Sequence, residues 1–332
     1  MQEAFSPVRA DAGRAVETCN RVSVTTSARL HFGFLDPSGR GPRPFGSFGL
    51  ALDRPRTRLV LRRGPEIKVT GADCARALPY LRSIAWSFGL RGAYHLHLDE
   101  VIPSHVGLGS GTQLALAIGS AVAALEGLPL DLTEIAKRLD RGKRSGIGIG
   151  TFGQGGAVLD GGPGAGTLPP MLARLPFPED WRVLLIFDPA VKGLHGHGEI
   201  SAFASPPPFP EAETAELCRR IVLEALPALA EHNFKEFSEQ IGYLQLRMGS
   251  YFAPMQGGPF VSPSVGAVLE RLIAEGVTGL GQSSWGPTGF AFAGSEADGE
   301  ALLATARAVP EAANLNFDLV QARNEPALIE TA

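Results

Sequence analysis

The sequence is short of cysteine, has no long apolar run and carries no strong charge of either sign, and each shortage closes off a class of protein. Its three cysteines, Cys19, Cys74 and Cys218, lie far apart and in no metal-binding spacing. An odd, scattered set of thiols argues against a disulfide framework or a zinc site and suits reduced cysteines in cytoplasm. The longest apolar run, residues 114–125, is well short of the ~20 residues that cross a bilayer. The opening residues lack the charged-then-apolar order of a secretion signal, so a cytoplasmic protein without membrane contact is expected. A formal net charge of −4 gives no reason to expect nucleic acid as partner. Neither an internal repeat nor a catalytic triad or reactive-cysteine context is evident. What is present, 332 residues with 44% hydrophobic and 19% charged content, is enough for two modest domains or one large one around a real core.

The most prominent glycine-rich stretch is Pro103-Ser104-His105-Val106-Gly107-Leu108-Gly109-Ser110-Gly111-Thr112-Gln113. It lacks the Gly-Lys-Ser/Thr ending of a P-loop and the Gly-x-Gly-x-x-Gly spacing of a dinucleotide fold. Before it, Tyr94, Leu96 and Leu98 alternate with His95, His97 and Asp99, the period of a half-buried strand. After it, the apolar run 114–125 predicts a buried helix. Strand, glycine turn and helix therefore follow in order. Gly107, Gly109 and Gly111 let the backbone approach a bound group, and the new helix directs free N–H groups and its positive end at the same point. Ser110 and Thr112 add hydroxyls, so an anion is expected here, above all a phosphate ester.

Elsewhere the chemistry-bearing residues admit two readings each. Arg29, on an extended segment from Arg21 to Asp36, is either an edge ion-pair partner or a fork for a carboxylate or phosphate. His31 is either a satisfied structural histidine or an acid–base group. The glycine-rich run 141–156, with Lys143 and Arg144, is a second anion cradle or a solvated surface loop. Lys192, His195, His197 and Glu199 share a short stretch. There, alternate residues could converge on one ligand or divalent metal, or Lys192 and one histidine meet substrate. A helix is expected near residues 75–88, with Pro79 marking a late start or a kink, and Asp131-Leu132-Thr133-Glu134 reads as a capping box. A second glycine-rich loop, residues 279–292, contains Ser283 and Ser284.

The stretch 103–113 resembles the second motif of the GHMP superfamily of small-molecule kinases, Pro-x-x-x-Gly-Leu-Gly-Ser-Ser/Gly. Residues 27–36 and 279–292 stand where its first and third motifs lie. The wording Ser-Ala-Arg-Leu-His-Phe-Gly-Phe-Leu-Asp at 27–36, joined to residues 103–113, is similar to one branch, the β-ribofuranosylaminobenzene 5′-phosphate synthases. The resemblance implies an α+β, GHMP-kinase-like two-domain fold. A tail (1–20) would precede a ribosomal protein S5 domain 2-like N-terminal domain (21–185), followed by a ferredoxin-like C-terminal domain (186–332), with the active site between them. It implies a reaction as well: 5-phosphoribosyl 1-diphosphate condenses with 4-aminobenzoate or 4-hydroxybenzoate to a C-ribosyl arene 5′-phosphate, releasing carbon dioxide and diphosphate, in tetrahydromethanopterin biosynthesis. Under that reading Gly107, Gly109, Ser110, Gly111, Thr112 and Gln113, with Ser283 and Ser284, hold phosphate, aided by Mg²⁺. Arg29, His31, Lys143, Arg144, Lys192 and His195 carry the chemistry, and a homodimer is expected. One departure is informative. Mevalonate-type kinases place Ser-Gly-x-Asp where this chain has Ser145-Gly146-Ile147-Gly148, so the carboxylate that helps deprotonate the attacking alcohol is glycine. An ATP-dependent kinase of a small alcohol and a non-catalytic phosphometabolite-binding regulator are the competing readings.

Overall fold

A computed structural model describes residues 20–38, 40, 43–193 and 207–332; all but the last residue of the expected tail lies outside them. The fold is α+β, in two sheets. It begins with two long strands, β1 (Arg21–Asp36) and β2 (Phe45–Gly64), paired antiparallel. There follow β3 (Lys68–Gly71), α1 (Cys74–Ser87), β4 (Ala93–Glu100), α2 (Ser110–Leu125), α3 (Leu132–Arg138), α4 (Ile147–Gln154), β5 (Ala157–Asp160) and β6 (Met171–Leu175). The first sheet has the order β11-β1-β2-β4-β3, where β11 is Leu328–Thr331, and β5 and β6 extend it from the near end of β2. Two register shifts in β1, between Ser27 and Arg29 and between His31 and Gly33, bracket the residues that matter below. Such bulges bend a strand and redirect its side chains.

The second sheet is built from β7 (Arg182–Phe187), β8 (Leu280–Gln282), β9 (Gly289–Ala293) and β10 (Asn316–Val320), in the order β10-β7-β9-β8. Between β7 and β8 lie α5 (Glu211–Arg220), a π-turn at Ile221–Ala225, α6 (Leu226–Ala230), α7 (Phe234–Gln256) and α8 (Pro263–Ala274); α9 (Glu296–Arg307) joins β9 to β10. Numbered within this half, the strands stand 4-1-3-2, all antiparallel, which is the ferredoxin-like arrangement. The expected division at residues 185/186 runs through β7, which pairs wholly inside the second sheet. The chain then crosses back, because β11 pairs with β1.

Local sequence accounts for much of this. The α2 helix is apolar on nearly every side and is accordingly buried on nearly every side. A side chain at Gly119 would drive into Ile135, so glycine there lets α3 lie close. The α3 helix starts on Asp131, whose carboxylate accepts from the amides of Thr133 and Glu134. The α1 helix begins before Pro79 and runs through it. One lost backbone bond is offset by burial of Ala77, Leu81, Ile84 and Ala85.

The two halves meet through aromatic rings. Phe32 of β1 packs on Phe48 of β2 (5.2 Å between centroids) and on Phe290 and Phe292 of β9 (5.7 and 5.6 Å). Phe237 of α7 closes the group against Phe177, Trp181 and Phe292 at 5.5–5.7 Å. Offset and edge-on ring pairs of this kind add to the area they bury. Phe237→Ala should therefore lower unfolding stability by roughly 3–5 kcal/mol in a denaturant titration. Leu246→Ala, on the exposed side of the same helix, should change it by less than about 0.5 kcal/mol.

Candidate active site

A cleft of about 640 Å³ opens where α2 begins. Its floor is the turn after β4. Gly109, in a left-handed conformation (φ 76°), starts α2 without a side-chain cap, and the Thr112 and Gln113 amides fold back onto the Gly109 carbonyl. The first amides of α2 have no partner inside their own helix and lie at its positive end. Gly107, also left-handed (φ 87°), is packed so closely that any side chain would collide with the Ser283 carbonyl.

The turn is held from both sides. The Gly107 carbonyl accepts from Arg29 Nη1 (2.7 Å) and from Ser283 Oγ (2.9 Å). The Arg29 amide donates to the Leu108 carbonyl (3.1 Å), the His31 amide to Ser283 Oγ (3.1 Å), and the Ser284 amide to the His31 carbonyl (3.3 Å). The bulged part of β1 thus bonds through its backbone to both glycine-rich loops.

Arg29, Arg76, Arg141, Lys143 and Arg144 line the cleft, against the single carboxylate of Asp140 among the described residues. Arg76, from α1, donates to Ser110 Oγ (2.9 Å) and is paired with Asp73 (2.6 Å). Arg141 lies over the Tyr80 ring, 5.0 Å from its centroid, and bonds the Tyr80 hydroxyl. Lys143 is solvent-facing and paired with Asp140 (2.5 Å). His31 is only 3% exposed, and its Nε2 is buried without a hydrogen-bond partner. Burial, then the positive charge of Arg29, hold its pKa down at about 3, so the imidazole is neutral at physiological pH.

Of the residues expected at the site, Arg29, His31, Gly107, Gly109, Ser110, Gly111, Thr112, Lys143, Arg144 and Ser284 line this one cleft. Gln113 does not. It points into the protein, accepting from Thr26 Oγ1 (2.5 Å) and donating to the Gly148 carbonyl (2.8 Å), because the second turn of a buried helix faces the core. Ser283 is fully buried and binds the turn rather than facing the space above it. Lys192 is exposed and outside the lining, although the next residue, Gly193, enters it and donates to the His105 carbonyl (2.8 Å). His195, His197 and Glu199 lie outside the described residues.

Sequence reasoning missed Arg76 and Tyr80, and reached Arg141 only as the first residue of the glycine-rich run 141–156. Arg76 and Tyr80 are four apart on one helix and so share a face, a signal available beforehand. That this face meets the glycine turn was not. No group of three or more metal-ligating side chains occurs among the described residues, and none of their helices is long and apolar enough to cross a membrane.

Residues 74–156 match the GHMP kinases N terminal domain and residues 225–312 the GHMP kinases C terminal domain. The chain is 32% identical over 288 residues to the β-ribofuranosylphenol 5′-phosphate synthase of Archaeoglobus fulgidus, covering 82% of this chain and 88% of that one. With the synthase of the same name from Methanocaldococcus jannaschii it is 30% identical over 300 residues, covering 81% and 88%. Among solved structures, homoserine kinase from Cytophaga hutchinsonii shares the fold with a TM-score of 0.67 at 15% identity, over 96% of this chain and 99% of that one. A neighbour solved with AMPPCP and magnesium gives 0.64 at 13%, over 94% and 99%. The chain belongs to the β-ribofuranosylphenol 5′-phosphate synthase family, a branch of the GHMP kinase superfamily.

Proposed function

We propose that this protein is a decarboxylating ribosyltransferase that joins 5-phosphoribosyl 1-diphosphate to 4-hydroxybenzoate, releasing carbon dioxide and diphosphate, in methanopterin biosynthesis. The observation that carries this is kinship with synthases of a ribofuranosylphenol phosphate along four fifths of the chain. The phenol in their name favours the hydroxy over the amino acid as acceptor. The chemistry of the cleft agrees. Departure of diphosphate leaves positive charge at C1 of the ribose, and the ring carbon bearing the carboxylate attacks it. Loss of carbon dioxide then restores aromaticity. None of these steps needs a nucleophilic side chain. They need fixed positive charge where diphosphate develops its own.

The α2 N-terminus, Ser110, Thr112, Arg76 and Arg29 serve the diphosphate. Arg141, whose guanidinium lies beside Gly111 of the same turn, joins them, and Arg144 serves the acceptor carboxylate. His31 remains a neutral wall beside Arg29. A Mg²⁺ ion suits this site only as a companion of the substrate. The described lining offers one carboxylate, already paired with Lys143, so phosphate oxygens and the Ser110 and Thr112 hydroxyls would hold it. When bound it would neutralise charge on the leaving group.

The competing kinase reading meets an obstacle at residue 148. A side chain there would press on Thr112, so the loop carboxylate of the kinases has no room without displacing the Thr112 side chain.

Purified protein given the ribose donor, 4-hydroxybenzoate and Mg²⁺ should release carbon dioxide without ATP. ATP consumption with a small alcohol, and no carbon dioxide, would establish the kinase instead. Arg29→Ala and Ser110→Ala should each reduce kcat/KM by on the order of 100-fold or more, with folded protein retained by circular dichroism. Unchanged turnover would remove that residue from the site. His31 also makes a pH prediction. Its folded pKa near 3 lies below the unfolded 6.5, so the unfolded state binds the extra proton and stability falls as pH drops below 6.5. At pH 4.5 the loss from this group is about 2–3 kcal/mol, and His31→Gln should abolish that increment in denaturation measured at both pH values.

A further inference from the structure

Behind the basic loop lies a carboxylate that the sequence did not single out. Asp160 closes β5 and is fully buried. It accepts from the amides of Gly146 (2.8 Å), Gly162 (2.9 Å) and Ser47 (3.2 Å) and from Ser47 Oγ (2.5 Å). Burial nonetheless pushes its pKa up. Ser47 Oγ is also 2.6 Å from Ser145 Oγ, and Ser145 lines the cleft next to Arg144.

Proton counting orders these groups. A serine hydroxyl has one proton and two lone pairs. Ser47 Oγ is closer to Asp160 Oδ2 (2.5 Å) than to Ser145 Oγ (2.6 Å); with its proton on Asp160, Ser145 donates to Ser47, and Ser145 Oγ also stands within 3.4 Å of Asp160 Oδ2. Ser145 Oγ then accepts from the Ile147 amide (3.2 Å) and keeps a lone pair for a donor in the cleft. The α4 start is anchored both by the bond from the Gly146 amide to Asp160 and by that from the Ile147 amide to Ser145, and the Ser47 hydroxyl is not needed for it.

We propose that Ser145, Ser47 and Asp160 form a proton relay that takes the proton of the acceptor's 4-hydroxyl during ring attack and returns it afterwards. This rests on the phenol-synthase reading. As the bond from C1 of ribose to diphosphate breaks with its electron pair, the ring carbon bearing the carboxylate bonds to C1. The 4-hydroxyl proton passes to Ser145, that of Ser145 to Ser47, and that of Ser47 to Asp160, leaving a neutral dienone. The bond to the carboxylate then breaks, carbon dioxide leaves, and its electron pair restores the ring as a phenolate. The phenolate recovers its proton along the same path. Protons balance, and no further reactant is required. Carboxylate chemistry thus reaches the cleft through two hydroxyls, although the loop itself has glycine at 148.

The test compares two acceptors in full-length protein: 4-hydroxybenzoate, and 3,5-difluoro-4-hydroxybenzoate, whose phenol is already largely ionised at neutral pH. Ser145→Ala and Ser47→Ala should lower kcat with the first by on the order of 100-fold. With the second, the loss relative to unaltered protein should be at least ~10-fold smaller. Ser145→Thr, which keeps the hydroxyl, should recover most of the rate. Equal losses on the two acceptors, or no recovery with threonine, would overturn the relay while leaving the ribosyltransferase reading intact. Absence of carbon dioxide release by the unaltered protein would overturn that reading itself.

Discussion

The carbonyl oxygen of Gly107 accepts from Arg29 and from Ser283, donors 78 and 176 residues away along the chain. A peptide carbonyl has two lone pairs, and here the two donors come from opposite walls. One donor belongs to the bulged part of β1, the other to the loop before β9. The glycine turn is therefore held in shape by its backbone, and its amides and hydroxyls are left for a ligand. This explains why Gly107 has both a left-handed backbone and no space for a side chain. A larger residue would need to push the Ser283 loop away, and would loosen Arg29 with it. Preorganisation of this kind matters most for a reaction whose demand is electrostatic, because donors that must first reorganise lose much of their effect.

Electrostatic repulsion is the counterpart of this arrangement. Five basic side chains face one cleft with one carboxylate among the described lining. Their mutual repulsion is relieved locally: Asp73 pairs with Arg76, Asp140 with Lys143, and the Tyr80 ring and hydroxyl hold Arg141. These contacts fix the guanidinium planes and leave an excess of positive charge that a diphosphate ester would neutralise. His31 follows from the same field. A histidine buried beside Arg29 stays unprotonated, and its Nε2 is left without a hydrogen-bond partner.

What was legible in the sequence was local. Alternation over residues 93–101, three glycines and an apolar run placed β4, the turn and α2 in order, and the Asp131 cap predicted the start of α3. The limits were tertiary. Gln113 follows Thr112 by a single residue, yet that step around a buried helix turns it from the cleft into a hydrogen bond with Gly148. Arg76 and Tyr80 stand 31 and 27 residues before Gly107 of the turn they face, and only the packing of α1 on α2 brings them there. The bulges that aim the Arg29 and His31 backbones at two other loops left no trace in composition. Asp160, at the end of an apolar strand, carried no sequence signal that set it apart.

Homoserine kinase from Cytophaga hutchinsonii and the present chain share a fold at 15% identity, so the fold alone says little about chemistry. The physical difference is concentrated where α4 meets α2. Gly148 touches Thr112 and gives its carbonyl to Gln113, so the start of the phosphate helix and the α4 helix are packed backbone to side chain with no gap. A carboxylate at position 148 would have to displace the Thr112 side chain, one of the two hydroxyl-bearing side chains at the start of α2. Besides Asp140, which is paired with Lys143, a second carboxylate touches that loop: Asp160, one layer deeper, sealed from solvent and in contact with it through Gly146, Ser145 and the Ser47 hydroxyl. A base at that depth cannot approach an alcohol directly. It can influence only a group able to bond Ser145, and a phenol para to the reacting carbon is such a group.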